Sequence, residues 1–477
     1  MVAQEARAGI AGAIDDDAIA VLRERIRGEV LTPSHPGYEE ARAVENGLIT
    51  RRPGAIVRCA GVADVVEVVN LARDRDVVLS VRGGGHNVAG HAVCEGGVMV
   101  DLANLREVSV DPIARRAKVQ GGATWRDVDA ATQAFGLATP GGLVSITGVG
   151  GLTLSGGIGW LRSRHGLTID NLLAADVVLA DGSLVHATGT EHADLLWALK
   201  GGGGNFGIVA AFEFALHPLG PEIAFSGPVY PLEAGPGPIR FWRDFLADKN
   251  DSVGSIVEFS TIPADPAYPE ASWGKRVYTI GSLFAGDAAE GEALLRPLRE
   301  QGALSADFSG RMDYCAIQQL FDAVIPFGRY RCYWKSLYLN ELSDGVIDTI
   351  LEGNAHPPSR HTLTSIWNFG GATAAVATTA TAFGDRSMPY MFSADSIWTG
   401  REHDGTNIDW ARDFWNRLQP YSHKGRAYMN FAGLGEDGES LVRRSYGPNF
   451  ARLAEVKRRY DPGNLFRSNQ NIPPGKG

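Results

Sequence analysis

The chain of 477 residues is longer than a single hydrophobic core supports, and its 59 glycines exceed the usual share of about 7%, so two domains with glycine-rich, ligand-facing loops are expected. A net charge of −10 with both signs interspersed argues against a nucleic-acid footprint, and no polybasic run or basic amphipathic helix marks a membrane surface. No apolar run reaches membrane-spanning length, "MVAQEARAGIAGAIDDDAIA" lacks signal-peptide character, and Cys59, Cys94, Cys315 and Cys332 are scattered without CxxC spacing. Together these predict a cytoplasmic protein with reduced thiols.

Taken in chain order, residues 62–75 place Val62, Val65, Val66 and Val69 at helical spacing. "VVLSV" (77–81) reads as a buried strand running into "RGGGHNVAG", and "VMVDL" (98–102) as the next strand. Residues 108–120 form a predicted hairpin turning at Asp111-Pro112. Thr124 then caps a predicted helix that Gly136 closes. The stretch 139–166, "TPGGLVSITGVGGLTLSGGIGWLRSRHG", is too glycine-rich for a regular element and suits a backbone wrapped around a flat ligand. A hairpin at 172–187 turns at Asp181-Gly182. A helix then leads into "GGGGNFG" (201–207) and the strand "IVAAFEFAL". Proline density near Pro218 marks a boundary, beyond which residues 222–420 carry more aromatics and fewer glycines. The tail reads as a capped helix followed by an extended anchor.

Several chemistries fail on context. "GGGNFG" fits GxGxxG, but a helix precedes it and a strand follows, the reverse of a dinucleotide fingerprint. There is no P-loop, no HExxH and no GxSxG. His86 and His91 stand in a glycine loop without clustered carboxylates, so no metal site is expected. What remains is three glycine clusters, each beside a strand, whose successive N–H groups suit a diphosphate.

"VRGGGHNVAG", "TPGGLVSITGVGGLTLSGGIGWL", "GLTIDNLLAADVVLADG", "DLLWALKGGGGNFGIV" and the tail "YMNF…YGPNFARLAEVKRRYDPGNLFRSNQNI" resemble, in order and spacing, the berberine-bridge-enzyme-like branch of the vanillyl-alcohol oxidase flavoproteins. The resemblance implies an α+β fold. An FAD-binding domain would span residues 1–219, an antiparallel-sheet substrate domain 220–419, and a segment 420–477 would return to the first. It implies FAD bound covalently at its 8α-methyl by His86. Arg82, Gly83, Gly84, Gly85 and Asn87 would lie around that link. From the second loop come Gly141, Gly142, Val144, Thr147, Gly148, Gly150 and Gly151. Gly157, Gly159, Trp160 and Asn171 follow, then Gly207, Ile208 and Val209 from the third loop and Asn430 and Asn469 from the tail.

Departures from the family pattern sharpen these expectations. Val144 stands where many relatives carry a cysteine with a second flavin link, so a single link is implied. Thr147 occupies the position controlling oxygen access, and its small size favours an oxidase. Ala375 replaces the plant glutamate base, Asp385 its neighbouring histidine, and Ile158 a tyrosine found in many bacterial relatives. Asp385 reads better as an arginine's salt-bridge partner than as a base. Tyr428 in "YMN" becomes the candidate base, provided nearby positive charge makes it acidic. Tyr330, Tyr333, Lys335, Trp367 and Trp398 are candidates for the substrate face, with core packing as the competing reading. The implied activity is hydride transfer from an alcohol or amine of a sugar or secondary metabolite to FAD, with O2 as reoxidant. A dehydrogenase using another acceptor, or a non-redox flavoprotein scaffold, is the alternative.

Overall fold

The computed structural model describes residues 12–249, 251–323, 327–436 and 438–475. A first sheet holds β1 (Glu29–Leu31), β2 (Ala55–Arg58), β3 (Leu79–Arg82) and β4 (Val98–Asp101) in the order β1-β2-β4-β3. Strands β2, β4 and β3 run parallel, which demands cover on both faces, and all four residues of β4 are buried. Helix α1 (Val62–Asp74) joins β2 to β3 and packs Val65, Val68 and Val69 against Val57 and Val100.

A second, antiparallel sheet holds β5 (Val108–Asp111), β6 (Arg116–Gln120), β7 (Leu172–Val178), β8 (Leu184–Ala187) and β9 (Ile208–Ala215), ordered β5-β6-β9-β7-β8. Both predicted hairpins are present, and Gly182 supplies the positive φ (+85°) that its turn needs. Helix α2 (Trp125–Gln133) starts at Thr124, with Asp127 returning to complete a capping box. The stretch 139–166 differs from the sequence expectation, because it contains two short helices, α3 (Val149–Leu154) and α4 (Arg162–His165). Glycine did not prevent them: α3 is held by its buried residues Val149, Thr153 and Leu154.

The third sheet has nine strands, all between residues 222 and 398. They are β10 (Glu222–Ser226), β11 (Pro228–Pro231), β12 (Val253–Thr261), β13 (Arg276–Phe284), β14 (Ala306–Asp307), β15 (Gly310–Asp313), β16 (Arg331–Leu339), β17 (Leu363–Asn368) and β18 (Tyr390–Trp398). The order is β14-β11-β13-β12-β17-β18-β16, with β10 pairing β13 and β15. Helices α5 (Gly237–Ala247), α6 (Asp344–Ala355) and α7 (Asp404–Leu418) cover one face, packing on Val257, Phe259, Ile366, Phe392 and Leu337. Alternate residues Ile256, Trp367, Met391 and Tyr338 face the other way, toward Trp160 and Tyr428. Asn46 ties this sheet to the loop after β3, donating to Val88 O at 2.6 Å and to Cys332 O at 2.8 Å.

The tail, α8 (Glu439–Tyr446) and α9 (Phe450–Tyr460), packs Val442, Leu453 and Tyr460 with Val119, Phe206 and Phe214 of the second sheet and its loop. Lys457 is fully buried there. Its ammonium donates to Asn205 O (2.7 Å), Phe466 O (2.9 Å) and Asp461 Oδ2 (2.6 Å), so the buried charge is paired and its three donors are used. The cysteines are free thiols. Among the described residues no helix is long and apolar enough to cross a membrane, and no cluster of His, Cys, Asp or Glu could hold a metal.

Candidate active site

A cavity of about 310 Å³ lies between the glycine loops and the uncovered face of the third sheet, a size suited to a bound small molecule or cofactor. Its floor begins where β3 ends. Arg82 pairs with Asp101 on the adjacent parallel strand (Nε to Oδ1, 3.1 Å) and donates to Ala43 O at 3.1 Å. That guanidinium therefore braces the loop from behind and does not line the cavity, contrary to the sequence expectation. Gly83, Gly84, Gly85, His86 and Asn87 do line it. Gly85 has a left-handed φ of +68°.

His86 is the reactive group of this loop. Burial lowers its pKa to about 4, with the Asp322 charge opposing, so the imidazole is neutral near pH 7. Its Nε2 is buried and has no hydrogen-bond partner among the described residues, which marks it for something outside the protein chain. Asp322 also fixes the facing turn, accepting from Ser145 N at 2.8 Å and from Arg126 at 2.8 Å. That turn brings Gly142, Val144, Thr147, Gly148, Gly150 and Gly151 to the wall. Gly207, Ile208 and Val209 from the third cluster, and Asn430 and Asn469 from the tail, complete it.

Gly141, Gly157, Gly159, Trp160 and Asn171 stand behind the wall, where the sequence placed them at the cofactor. A Cβ on Gly159 would fall 2.0 Å from Gly141 O, and one on Gly141 would strike the Trp125 ring at 2.5 Å. These glycines serve loop-to-loop packing. Trp160 packs edge-on against Phe225 at 5.5 Å. Asn171 donates to His165 O (2.9 Å) and Leu167 O (3.0 Å), closing the turn before β7.

Tyr428 faces the cavity, but the positive charge its acidity required is missing. Its hydroxyl accepts from Asn430 Nδ2 (2.8 Å) and Gly157 N (3.2 Å), and burial still pushes it up to about 12. Two neutral donors do not offset the loss of water around a phenolate. Asp385 pairs with Arg426 at 3.2 Å, the ion-pair reading of the sequence.

On the sheet, strand parity sorts the substrate-face candidates. Trp367 lines the cavity. Tyr333, Lys335 and Trp398 have the opposite parity and point to the helix side. Tyr333 and Lys335 both donate to Glu436, and Lys335 lies over the Trp415 ring at 4.1 Å. Trp398 packs with Ala411 of α7 and donates to Asp404 at 2.9 Å. Tyr330, just before β16, packs on Val88 and does not line the cavity. Because β16 reads "RCYWKSLYL", apolar or aromatic on both sides, only the structure reveals that Trp334 is the inward residue.

The sequence reading also missed two carboxylates. Glu258 of β12 and Asp395 of β18 line the cavity from either side of β17, where Glu258 lies opposite Ser365 and Asp395 opposite Leu363. Burial raises the Glu258 pKa to about 8, with the Asp395 charge adding to it and Arg276 opposing. Burial likewise raises Asp395 to about 7, although Ser393 donates to it. For Glu258 an acid between apolar neighbours, "IVEF", is the available signal, whereas Asp395 in "SADSI" carries none. Gln470, a further lining residue, donates to Met429 O at 3.0 Å.

This arrangement defines a flavin site on an α+β, two-domain scaffold, and comparison with known proteins agrees. The FAD binding domain family matches residues 53–188, and the berberine and berberine-like family matches 427–473. The chain is 29% identical to the uncharacterised FAD-linked oxidoreductase YgaK of Bacillus subtilis (strain 168), over 95% of this chain and 98% of that protein. It is 28% identical to (R)-6-hydroxynicotine oxidase of Paenarthrobacter nicotinovorans, over 94% and 97% respectively. The crystal structure of 6-hydroxy-D-nicotine oxidase from Arthrobacter nicotinovorans superposes with a TM-score of 0.83 at 26% identity, over 94% of this chain and 98% of that one. The chain thus carries an FAD binding domain and a berberine-like C-terminal segment, and it is an FAD-dependent oxidoreductase with the α+β fold of the solved structure it resembles.

The residues present fit FAD. Gly151 lines the cavity with open space where a Cβ would stand, and the nearest atom to a Cβ on Gly204 is Asn469 Nδ2 at 3.9 Å, so bare backbone faces the ligand. The partnerless His86 Nε2 and the apolar walls Ile158, Trp367 and Phe431 suit a planar ring.

Proposed function

We propose that this protein is an oxidase carrying FAD on a single covalent link through His86. It removes a hydride from the C–H bond beside a hydroxyl or amine of a small molecule, a sugar or secondary metabolite, and O2 is the final acceptor. The observation that carries the reading is His86: neutral, buried and, among the described residues, without a partner at Nε2, in a cavity walled by bare glycine backbone. When bound, FAD supplies two-electron acceptance from carbon.

The chain's own residues supply placement. His86 Nε2 is the nucleophilic atom for the tether. Val144 offers no thiol for a second link. Thr147 puts a small side chain on the cavity wall, which would leave room for oxygen to approach bound FAD. Asn430 holds the Tyr428 hydroxyl, and Asn469 anchors the tail to Gly204 O at 3.0 Å. We assign residues 1–219 with 420–477 to the FAD-binding domain and 220–419 to the substrate domain. The oxidase named among the relatives supports the choice of O2.

The test is an anaerobic panel of alcohols, sugars and amines followed at the flavin band, roughly 450 nm. Bleaching by a panel member with oxygen uptake in air is expected. Bleaching without oxygen uptake would indicate a dehydrogenase, and a flavin unmoved by every compound would indicate a scaffold without redox turnover.

A further inference from the structure

The two carboxylates on the sheet face narrow the substrate. Glu258 is half-buried and makes no hydrogen bond or ion pair among the described residues, while Asp395 is nine-tenths buried and accepts only from Ser393. Among the described residues lining the cavity there is no lysine or arginine. Two arginines close to the site, Arg276 beside Glu258 and Arg162 beside Trp367, are committed elsewhere. Arg276 donates to Asn354 O (3.2 Å), Asn354 Oδ1 (2.7 Å) and Thr362 O (2.9 Å). Arg162 lies over the Trp367 ring at 5.5 Å and donates to Gly159 O, Asn368 and Ser255 O. His86 is neutral.

A second, independent observation points to a ligand at the same place. Trp334, nine-tenths buried, lines the cavity beside Asp395 in the register Trp334↔Asp395, and its Nε1 has no hydrogen-bond partner among the described residues. Buried indole N–H groups are normally paired, so an acceptor atom is missing. No cation among the described residues stands over the Trp334 ring, whereas Arg162 already takes a face of Trp367.

We propose that Glu258, Asp395 and Trp334 form a subsite for a protonated amine, so that the substrate is a basic amine carrying a hydrogen-bond acceptor near its nitrogen. The inference rests on the flavin reading above and names the substrate class of that site. An ammonium group beside the two acids supplies the counter-charge that lets them ionise in a buried place, and an indole face adds cation–π attraction. A neutral polyol could accept from the Trp334 Nε1–H but brings no counter-charge, so it gives the two acids no reason to ionise. The raised carboxyl pKa values fit a site whose cation arrives with the ligand.

The experiment uses the purified flavin-containing protein and two probes of similar shape, benzylamine and benzyl alcohol, titrated calorimetrically near neutral pH. Benzylamine is expected to bind at least about tenfold more tightly. Glu258→Gln and Asp395→Asn are each expected to reduce that ratio, and together to bring it near one. A variant-free measurement stands beside this one. Benzylamine is expected to diminish the infrared C=O band of protonated carboxyls by ionising them, and benzyl alcohol to leave the band unchanged. Equal affinities in the wild type, no saturable benzylamine binding at millimolar concentration, an unchanged infrared band, or a full preference in the double variant would each overturn the proposal. Protein that holds no flavin defeats the proposed function first. Protein that holds flavin and treats both probes alike defeats only the amine subsite.

Discussion

Gly84 and Gly148 meet backbone to backbone: a Cβ on either would stand 2.3 Å from the other's amide nitrogen. Two of the three glycine clusters thus define one wall by touching each other. Gly84→Ala and Gly148→Ala are each expected to force these loops apart, destabilising the protein by about 1–3 kcal/mol as overpacked sites do. Thermal unfolding and the flavin-to-protein absorbance ratio of purified protein check this, with both falling together. Full flavin content in either variant would show that the loops separate without opening the site.

His86→Ala is expected to release its flavin into the supernatant on acid precipitation, while the wild-type pellet stays yellow. Free flavin from the wild type would remove the tether. In protein prepared without flavin, where the imidazole is free, the pH dependence has a sign as well. A histidine held near pKa 4 in the folded state takes up its proton more readily when unfolded. Its contribution to stability is therefore complete above about pH 6.5 and lost as pH falls toward 4. His86→Ala should flatten that part of the acid-unfolding profile.

Glu45 predicts the opposite trend. It is fully buried, with Cys332 Sγ at 3.7 Å the only hydrogen-bonding neighbour of its side chain among the described residues, and burial raises it to about 8. Ionisation then costs stability from pH 4.5, where the unfolded carboxyl ionises, until the folded group itself ionises near 8. Glu45→Gln, which mimics the protonated form, is expected to match the wild type in mild acid. Above the folded pKa it should exceed the wild type by a few kcal/mol, at about 1.4 kcal/mol per pKa unit. Thermal melts across that range decide it; parallel curves would show that Glu45 is not buried in solution.

Tyr428→Phe leaves the Gly157 N–H and one Asn430 donor without their acceptor. A stability loss of about 1–3 kcal/mol is expected, with flavin retained. The rate of anaerobic flavin reduction should fall by less than about tenfold, because general-base assistance is worth 10²–10⁴ and this hydroxyl is too weakly acidic to provide it. A hundredfold loss would return Tyr428 to the role of base.

What the sequence disclosed and what it concealed follow from the same physics. A glycine loop ending in histidine is legible because only backbone proximity explains so many missing side chains, and His86 stands out against them. Strand parity was not legible. In "RCYWKSLYL" and "SIWNF" both faces of a strand are covered, one by helices and one by the cavity, so the alternation that usually marks inside from outside is absent. For Tyr333, Lys335 and Trp398 the competing core-packing reading is therefore the correct one, and in sequence nothing sets Trp334, the inward residue, apart from them. Glycines behind the wall look, in sequence, like glycines on it. Gly141 and Gly159 differ from Gly151 only in what lies beyond the missing side chain.

The return of the tail has a consequence for how the protein is made. Asn469 and Gln470 belong to the cavity wall, and Lys457 locks the segment carrying them onto Asn205. The glycine loop around His86 leaves the ribosome long before either. A nascent chain therefore has the histidine but no closed site, and stable cofactor capture has to wait until translation has passed residue 470.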